Sequence, residues 1–351
     1  MDMTREYSDI ELKRLIVECV DSLLTKIPMV SVDRKHLVEE VFNGRRRTGI
    51  IQPFLEDDTI NEIMINGTEG IFVEKDGDLV DSGIRYSNKE DIFHNIYTML
   101  SWSNRVVNES NPIVDARLSG GARINVVLDP VAINGPIVTI RKFTKKQYTI
   151  EDFINNGTIT VDIARFLEKS ILDGKSIVVS GGTSSGKTTF LNMLSGIIPE
   201  NKRIIVIEDS AELTIKKPNI VRLETREANT QGKGEIKMRA LIKTALRMRP
   251  DRLIIGEVRD ESALELLTAM CTGHKGSMAT IHANSAKDTL VRLETMALWE
   301  GHVHSEAIKR MIISGVDIIV FLERNENGRM VKEVAEVVKS EQKDIALEYI
   351  Y

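Results

Sequence analysis

The run Gly181-Gly182-Thr183-Ser184-Ser185-Gly186-Lys187-Thr188 fits G-x-x-x-x-G-K-[ST], the pattern of a loop that cradles phosphates. Small residues let backbone N–H groups turn inward onto phosphate oxygens. A helix beginning at the second glycine adds partial positive charge. Lys187 has the reach for β- and γ-phosphates, and the Thr188 hydroxyl is a hard oxygen ligand for Mg²⁺. The candidate phosphate contacts run from Gly181 through Thr189. The flanks suit the pattern. Ile177-Val178-Val179 reads as a buried strand just before the loop, and Lys187 to Leu194 reads as a helix, with Gly196 and Pro199 as stop signals.

A phosphate loop needs a carboxylate to orient or deprotonate the attacking water. Glu257 follows the apolar run Leu253-Ile254-Ile255-Gly256, the expected position for that group or for a water-mediated metal contact. The usual metal-binding aspartate is missing from this strand, and Asp251 lies at its wrong end. Glu208 and Asp209 end the neighbouring run Ile204-Ile205-Val206-Ile207 and are the candidates for a second metal contact. The candidate metal ligands are therefore Thr188, Glu208 and Glu257. His282 ends another run, Met278-Ala279-Thr280-Ile281, where a neutral imidazole could hydrogen-bond a γ-phosphate or report its loss. His302 and His304 lack Cys or acidic partners at metal-site spacing and read as surface residues.

Two arginines earlier in the chain also have defined positions. Between Ala122 and Leu128, alternation puts Ile124, Val126 and Leu128 on one face and Arg123 with Asn125 on the other. Between Ile137 and Phe143, Arg141 lies opposite Val138 and Ile140. Periodicity alone makes both arginines surface residues.

The elements that must position these groups fall into two blocks. After an amphipathic helix carrying Leu12, Leu15, Ile16, Cys19, Val20, Leu23, Leu24 and Ile27, and a second helical stretch from Arg34 to Phe42, the pattern turns to short strands. These are Glu62 to Ile65, Ile71 to Glu74, Ile113 to Leu118, Ala122 to Leu128 and Ile137 to Phe143, with one helix at Asp91 to Leu100. Turn signals at Asp76-Gly77 and Ser119-Gly120-Gly121 predict hairpins, and the block reads as α+β. Thr149 to Asn156 reads as a connector. From Asp162 onward strands alternate with helices, which predicts a parallel, doubly wound α/β sheet extending through Val316 to Leu322 and the residues after Met330.

Composition narrows the function further. A net charge of −5 provides no global basic excess, which argues against a nucleic-acid partner. Two cysteines, Cys19 and Cys271, exclude a disulfide framework and suit a reducing cytoplasm. The polar start, Met1 to Glu6, does not read as a signal peptide, and no apolar run approaches a membrane span. Any membrane work would then go through a partner or at the surface.

Several segments together resemble a known family: Glu62-Ile63-Met64-Ile65-Asn66-Gly67, Gly120-Gly121-Ala122-Arg123-Ile124-Asn125, Thr139-Ile140-Arg141-Lys142-Phe143, the phosphate loop, and Ala245 to Arg252 continuing through Gly256-Glu257-Val258-Arg259 and Thr272-Gly273-His274 to Thr280-Ile281-His282-Ala283-Asn284. The chain resembles the hexameric ATPases of type II and type IV secretion and type IV pilus assembly, within them the CpaF/TadA branch of tight-adherence (Flp) pili. The resemblance spans roughly residues 50 to 335 and implies ATP and Mg²⁺ as cofactors. It makes Glu208-Asp209 the family's acidic box, Gly256-Glu257 its atypical metal-site strand end and His282 its histidine box. Arg123 and Arg141 become charge-stabilising arginines brought to the nucleotide, joining Lys187, Glu208, Glu257 and His282 as the catalytic set. The implied organisation is a helical segment over 1–48, a PAS-like α+β domain over 49–145, a linker over 146–158 and a RecA-like motor over 159–351. The implied partners are five further copies in a ring and an integral-membrane platform protein, with the ring cytoplasmic and peripheral at the inner face of the membrane.

Overall fold

The structure, a computed structural model, describes residues 9–24, 34–35, 37–38, 41–42, 48–75, 77–101, 103, 105–118, 121–142, 147–228, 232–325, 328–339 and 345–351. The chain divides into two compact units, Met1–Lys145 and Lys146–Tyr351. The basic run Arg45-Arg46-Arg47 lies outside the described residues, as do Ile27 and Phe143.

The first unit begins with helix α1 (Asp9–Leu24), which buries Leu12, Ile16 and Val20 against Val38 and Phe42 in a small separate cluster. The buried stripe is narrower than the apolar periodicity suggests, since Cys19 and Leu23 are exposed. After a short helix, α2 (Gln52–Glu56), come strands β1 (Ile60–Asn66), β2 (Gly70–Lys75) and β3 (Asp78–Asp81). Helix α3 (Lys89–Leu100) follows, capped by the Asn88 side chain on the Asp91 N–H, and then β4 (Ile113–Arg117), β5 (Arg123–Val127) and β6 (Ile137–Arg141). They form one six-stranded sheet in the order β3-β2-β1-β6-β5-β4, with antiparallel pairing throughout. Ile63, Ile65, Ile124, Val126, Val138 and Ile140 bury one sheet face in a common core with Ile92, Ile96 and Met99 of α3. The alternation read from sequence thus fixes which face of β5 and β6 is left for Arg123 and Arg141.

The second unit opens on a helix where a connector was expected. Thr149 and Asp152 form a reciprocal capping box at the start of α4 (Ile150–Asn155). Phe153 anchors this helix in the core, edge-on to Phe190 at 5.4 Å. Six residues carry too little periodicity to announce a helix, but the cap does. Next come α5 (Val161–Leu172), β7 (Ile177–Gly181), α6 (Lys187–Ile197), β8 (Ile204–Glu208), β9 (Ile220–Glu224), α7 (Met238–Ala245), β10 (Arg252–Val258), α8 (Ser262–Cys271), β11 (Met278–His282), α9 (Ala286–Leu298), α10 (Ser305–Gly315), β12 (Ile318–Asn325), β13 (Gly328–Lys339) and β14 (Ile345–Tyr349).

These strands form an eight-stranded sheet in the order β14-β13-β12-β7-β11-β10-β8-β9. From β12 to β9 the pairing is parallel. The central strands are buried on both faces: Val178 faces a core shared with α7 to α10, and Ile177 and Val179 face one shared with α5 and α6. The sheet is not parallel to its end, however. β13 and β14 run antiparallel to their neighbours. Only two residues separate β12 from β13, far fewer than a parallel crossover needs. Among the described residues no helix is long and apolar enough to cross a membrane.

Candidate phosphate site

The sheet order sets four strand ends side by side. Glu208 ends β8, Glu257 lies near the end of β10, His282 ends β11 and Gly181 ends β7. Ligands bind open α/β sheets just past the carboxyl ends of their strands. Residues scattered over a hundred positions therefore meet on one edge because of strand order alone.

The loop between β7 and α6 has the geometry its composition calls for. Gly186 takes the α6 N-cap position with φ +93°, and Ser184 is also left-handed at φ +57°. Alternating helical and left-handed residues turn successive N–H groups into one concavity, an anion nest. Ser185 Oγ is buried with no hydrogen-bond partner. Lys187 is only 7% exposed, and its Nζ donates to the carbonyl oxygens of Gly182 at 2.7 Å and Gly181 at 3.1 Å. The ammonium is thus folded back on its own loop.

The same Nζ lies 3.4 Å from His282 Nδ1, and His282 Nε2 lies 3.2 Å from Glu257 Oε1. An ammonium can only donate. Nδ1 must then accept, which leaves the ring proton on Nε2, the nitrogen on the Glu257 side. Burial, then the Lys187 charge, lowers the His282 pKa below its ordinary value, in keeping with a neutral ring. Lys187, His282 and Glu257 lie in one polar row, with a hydrogen bond from Lys187 to His282 and His282 Nε2 within 3.2 Å of Glu257.

Glu257 is not past its strand, as the sequence suggested, but inside it. Ile255 pairs with Ala279 and Val258 with Ile281, so three steps along β10 match two along β11. The extra residue falls at Gly256–Glu257, and the Gly256 carbonyl accepts from Thr280 Oγ1 at 2.5 Å. Such an irregularity re-aims a side chain. Gly256 also leaves space, since a Cβ there would sit 3.0 Å from Glu208 Cγ.

Glu208 and Asp209 are adjacent in sequence but lie in different surroundings. Glu208 is 3% exposed, and burial pushes its carboxyl up to about 7. Its Oε1 accepts from the Glu212 and Leu213 N–H groups, both at 2.9 Å, tying down the loop after β8. Asp209 instead pairs closely with Arg259 just past β10 and accepts from Thr225 Oγ1 at 3.2 Å.

For Mg²⁺, the Thr188 hydroxyl and the Glu257 carboxylate are hard oxygen donors of the right kind. No group of three His, Cys, Asp or Glu side chains among the described residues could hold a metal. Mg²⁺ keeps its waters and is bound by one or two protein groups together with substrate phosphates.

In the first unit, Arg123 and Arg141 are direct cross-strand partners. The row continues in both directions. Arg117 on β4 stands opposite Arg123, and Glu62 on β1 stands opposite Arg141, with Nε 3.8 Å from Oε1. Arg117 Nε donates to the Gly121 carbonyl at 3.2 Å. Sequence reasoning missed Arg117. Pairing the two runs of the predicted hairpin about their turn would have found it.

Comparison with known proteins gives the family. Residues 45–339 match the family described as type II/IV secretion system protein. A putative conjugal transfer protein of Mycobacterium tuberculosis is 30% identical over 295 residues, covering 82% of this chain and 83% of that one. The conjugal transfer protein TrbB of Rhizobium radiobacter is 33% identical over 288 residues, covering 81% and 85%. The type IV secretion system protein VirB11 of Bartonella henselae is 31% identical over 329 residues, covering 81% and 90%. In fold, the chain is similar to the Legionella pneumophila ATPase DotB, with a TM-score of 0.59 at 18% identity over 88% of this chain and 80% of that one. It is equally similar to the pilus retraction motor PilT, with a TM-score of 0.59 at 20% identity over 85% and 80%. Sequence match, sheet order and phosphate loop agree, and this chain belongs to the type II/IV secretion system protein family.

Proposed function

We propose that the chain is an ATP hydrolase, with Mg²⁺ as cofactor, that turns hydrolysis into domain motion. The observation that carries this reading is the Lys187–His282–Glu257 row beside the phosphate loop. An incoming triphosphate competes with the Gly181 and Gly182 carbonyls for the Lys187 ammonium. Glu257 accepts the proton of the attacking water, with the His282 ring 3.2 Å from its carboxylate. Gly181 to Thr189 bind the phosphates. Thr188, Glu208 and Glu257 would hold a Mg²⁺ ion, some of them through water, and the ion would neutralise charge on the phosphates.

Arg123 and Arg141 add positive charge to the phosphates of their own chain or of a neighbour. Support comes from the cost of their placement: like charges directly opposite on adjacent strands repel, and an anion relieves that repulsion. In this reading the first unit is a PAS-like domain, joined by a linker to a RecA-like motor. Six chains form a cytoplasmic ring at the inner face of the membrane. The ring passes its motion to an integral-membrane platform protein of a tight-adherence pilus. Turnover by the purified full chain tests the core of this. Wild type should release phosphate from ATP, and Glu257→Gln should still bind Mg·ATP while turnover falls about 100-fold or more. Wild-type turnover in that variant removes Glu257 from the mechanism.

A second reading is favoured by the names of the relatives, which are conjugal transfer and type IV secretion proteins. The same motor would then drive DNA or protein export. DNA-stimulated turnover that falls steeply with salt supports DNA export. A chain that binds ATP but scarcely hydrolyses it, with or without membrane partner, would instead be a nucleotide-gated scaffold.

A further inference from the structure

Arg329 reaches the phosphate loop from a strand that the hydrolysis chemistry does not use. β12 pairs with β7 up to Leu322 opposite Gly181, then continues beyond the sheet edge through Glu323, Arg324 and Asn325. β13 returns along it and sets Arg329 opposite Arg324. Arg329 Nε donates to the Ser184 carbonyl at 3.0 Å, and its stem lies over Gly186, where a Cβ would meet Cδ at 3.1 Å. Arg329 makes no other hydrogen bond or ion pair among the described residues, so its two terminal nitrogens are open.

The hairpin that carries this side chain is firmly held. Lys332 Nζ pairs with Glu323 at 2.8 Å across it, the Val331 N–H donates to the Thr158 carbonyl at 2.8 Å, and Glu333 Oε2 accepts from the Ala286 N–H at 2.7 Å. A guanidinium on a fixed strand loses little freedom when it binds a ligand.

Sheet order gives the bound nucleotide a direction. Glu257 and His282 lie on β10 and β11, to one side of β7, and β12 and β13 lie to the other. A triphosphate seated in the loop with its γ-phosphate toward Glu257 directs its α-phosphate and nucleoside away from β11. That is the side where Arg329 crosses the loop.

We infer that Arg329 is the nucleoside contact of this site, its guanidinium plane lying against the base and ribose of a bound nucleoside triphosphate. The inference rests on the phosphate-loop reading above. A planar, weakly hydrated cation suits stacking on an aromatic base in a way that an ammonium does not.

The rival role, bracing the loop through the Ser184 carbonyl alone, gives a different result with a ligand that lacks a nucleoside. Calorimetry on the full chain with Mg·ATP and with Mg·tripolyphosphate separates the two roles. Arg329→Ala should weaken ATP binding about tenfold and leave tripolyphosphate within about twofold, the range expected for loss of one stacking partner. Arg329→Lys, which keeps a donor for Ser184 but no plane, should keep tripolyphosphate binding and recover only part of the ATP affinity. An equal loss of both ligands in Arg329→Ala overturns the nucleoside assignment in favour of loop bracing. Unchanged ATP affinity overturns it outright. If wild type binds neither ligand, the phosphate-loop reading itself fails first.

Discussion

Lys187 is kept by folding its charge onto its own loop, with two backbone carbonyls and an imidazole around it. Arg117, Arg123 and Arg141 are kept side by side on three neighbouring strands, with Glu62 at one end of the row. The first cation is nearly buried and internally satisfied; Arg141 at the end of its strand is exposed. A satisfied cation has to exchange partners to bind a phosphate, and the net gain is a difference between hydrogen bonds. A row of like charges also gains from an anion through relief of repulsion, set against the contacts its arginines already make. The two regions should therefore fail differently when mutated, one in affinity and the other in turnover.

Lys187→Ala should break the comparison most severely. It removes a charge-assisted contact and frees His282 from its donor, so Mg·ATP affinity should drop roughly 100-fold. Calorimetry on the full chain reads this directly, and unchanged affinity would sink the phosphate-loop reading. Arg123→Ala and Arg141→Ala should do the reverse. Each should cut turnover by about 100-fold, the cost of one missing charge stabiliser, while ATP affinity stays within a few-fold. Arg117→Ala should show the same sign with a smaller size, since its Nε already serves the Gly121 carbonyl. If none of the three alters turnover, the row is a surface feature and the comparison collapses.

The contrast also explains what the sequence could show. The loop is contiguous, so its residue types and spacing can be read without knowing any pairing. Strands β7, β8, β10 and β11 are apolar runs that end in polar residues, and their ends were equally legible. What escaped depends on pairing between distant segments. Arg117 joins the row only through the β4–β5 register. Arg329 meets Ser184 across a separation of 145 residues, by a strand order that no local pattern encodes. The turn back of β13 was hidden for a related reason: apolar alternation marks a strand but not its direction. The position of Glu257 inside β10 depends on an extra residue that only the β11 partner reveals.

The smallest effect sharpens the distinction between the two acidic residues that end β8. Glu208 is buried, and its carboxyl titrates at about 7, raised mainly by desolvation. A raised folded-state pKa means that the folded chain binds more protons than the unfolded one between the two values. Stability from this group is full below the unfolded value of about 4.3 and is lost as pH rises through 7. His282 works in the opposite sense over a lower range. Its folded pKa is depressed, so its contribution is full above the unfolded value near 6.5 and is lost as pH falls from there through the lower folded value. In wild type the melting temperature should fall between pH 6 and pH 8, by roughly 5 °C if Glu208 dominates. Glu208→Gln keeps an oxygen to accept from the Glu212 and Leu213 N–H groups and carries no titrating proton. Its melting temperature should therefore stay level or rise slightly over the same span, exposing the His282 slope. A variant that still loses stability toward pH 8 would mean that another group carries the loss and that Glu208 stays ionised in the fold.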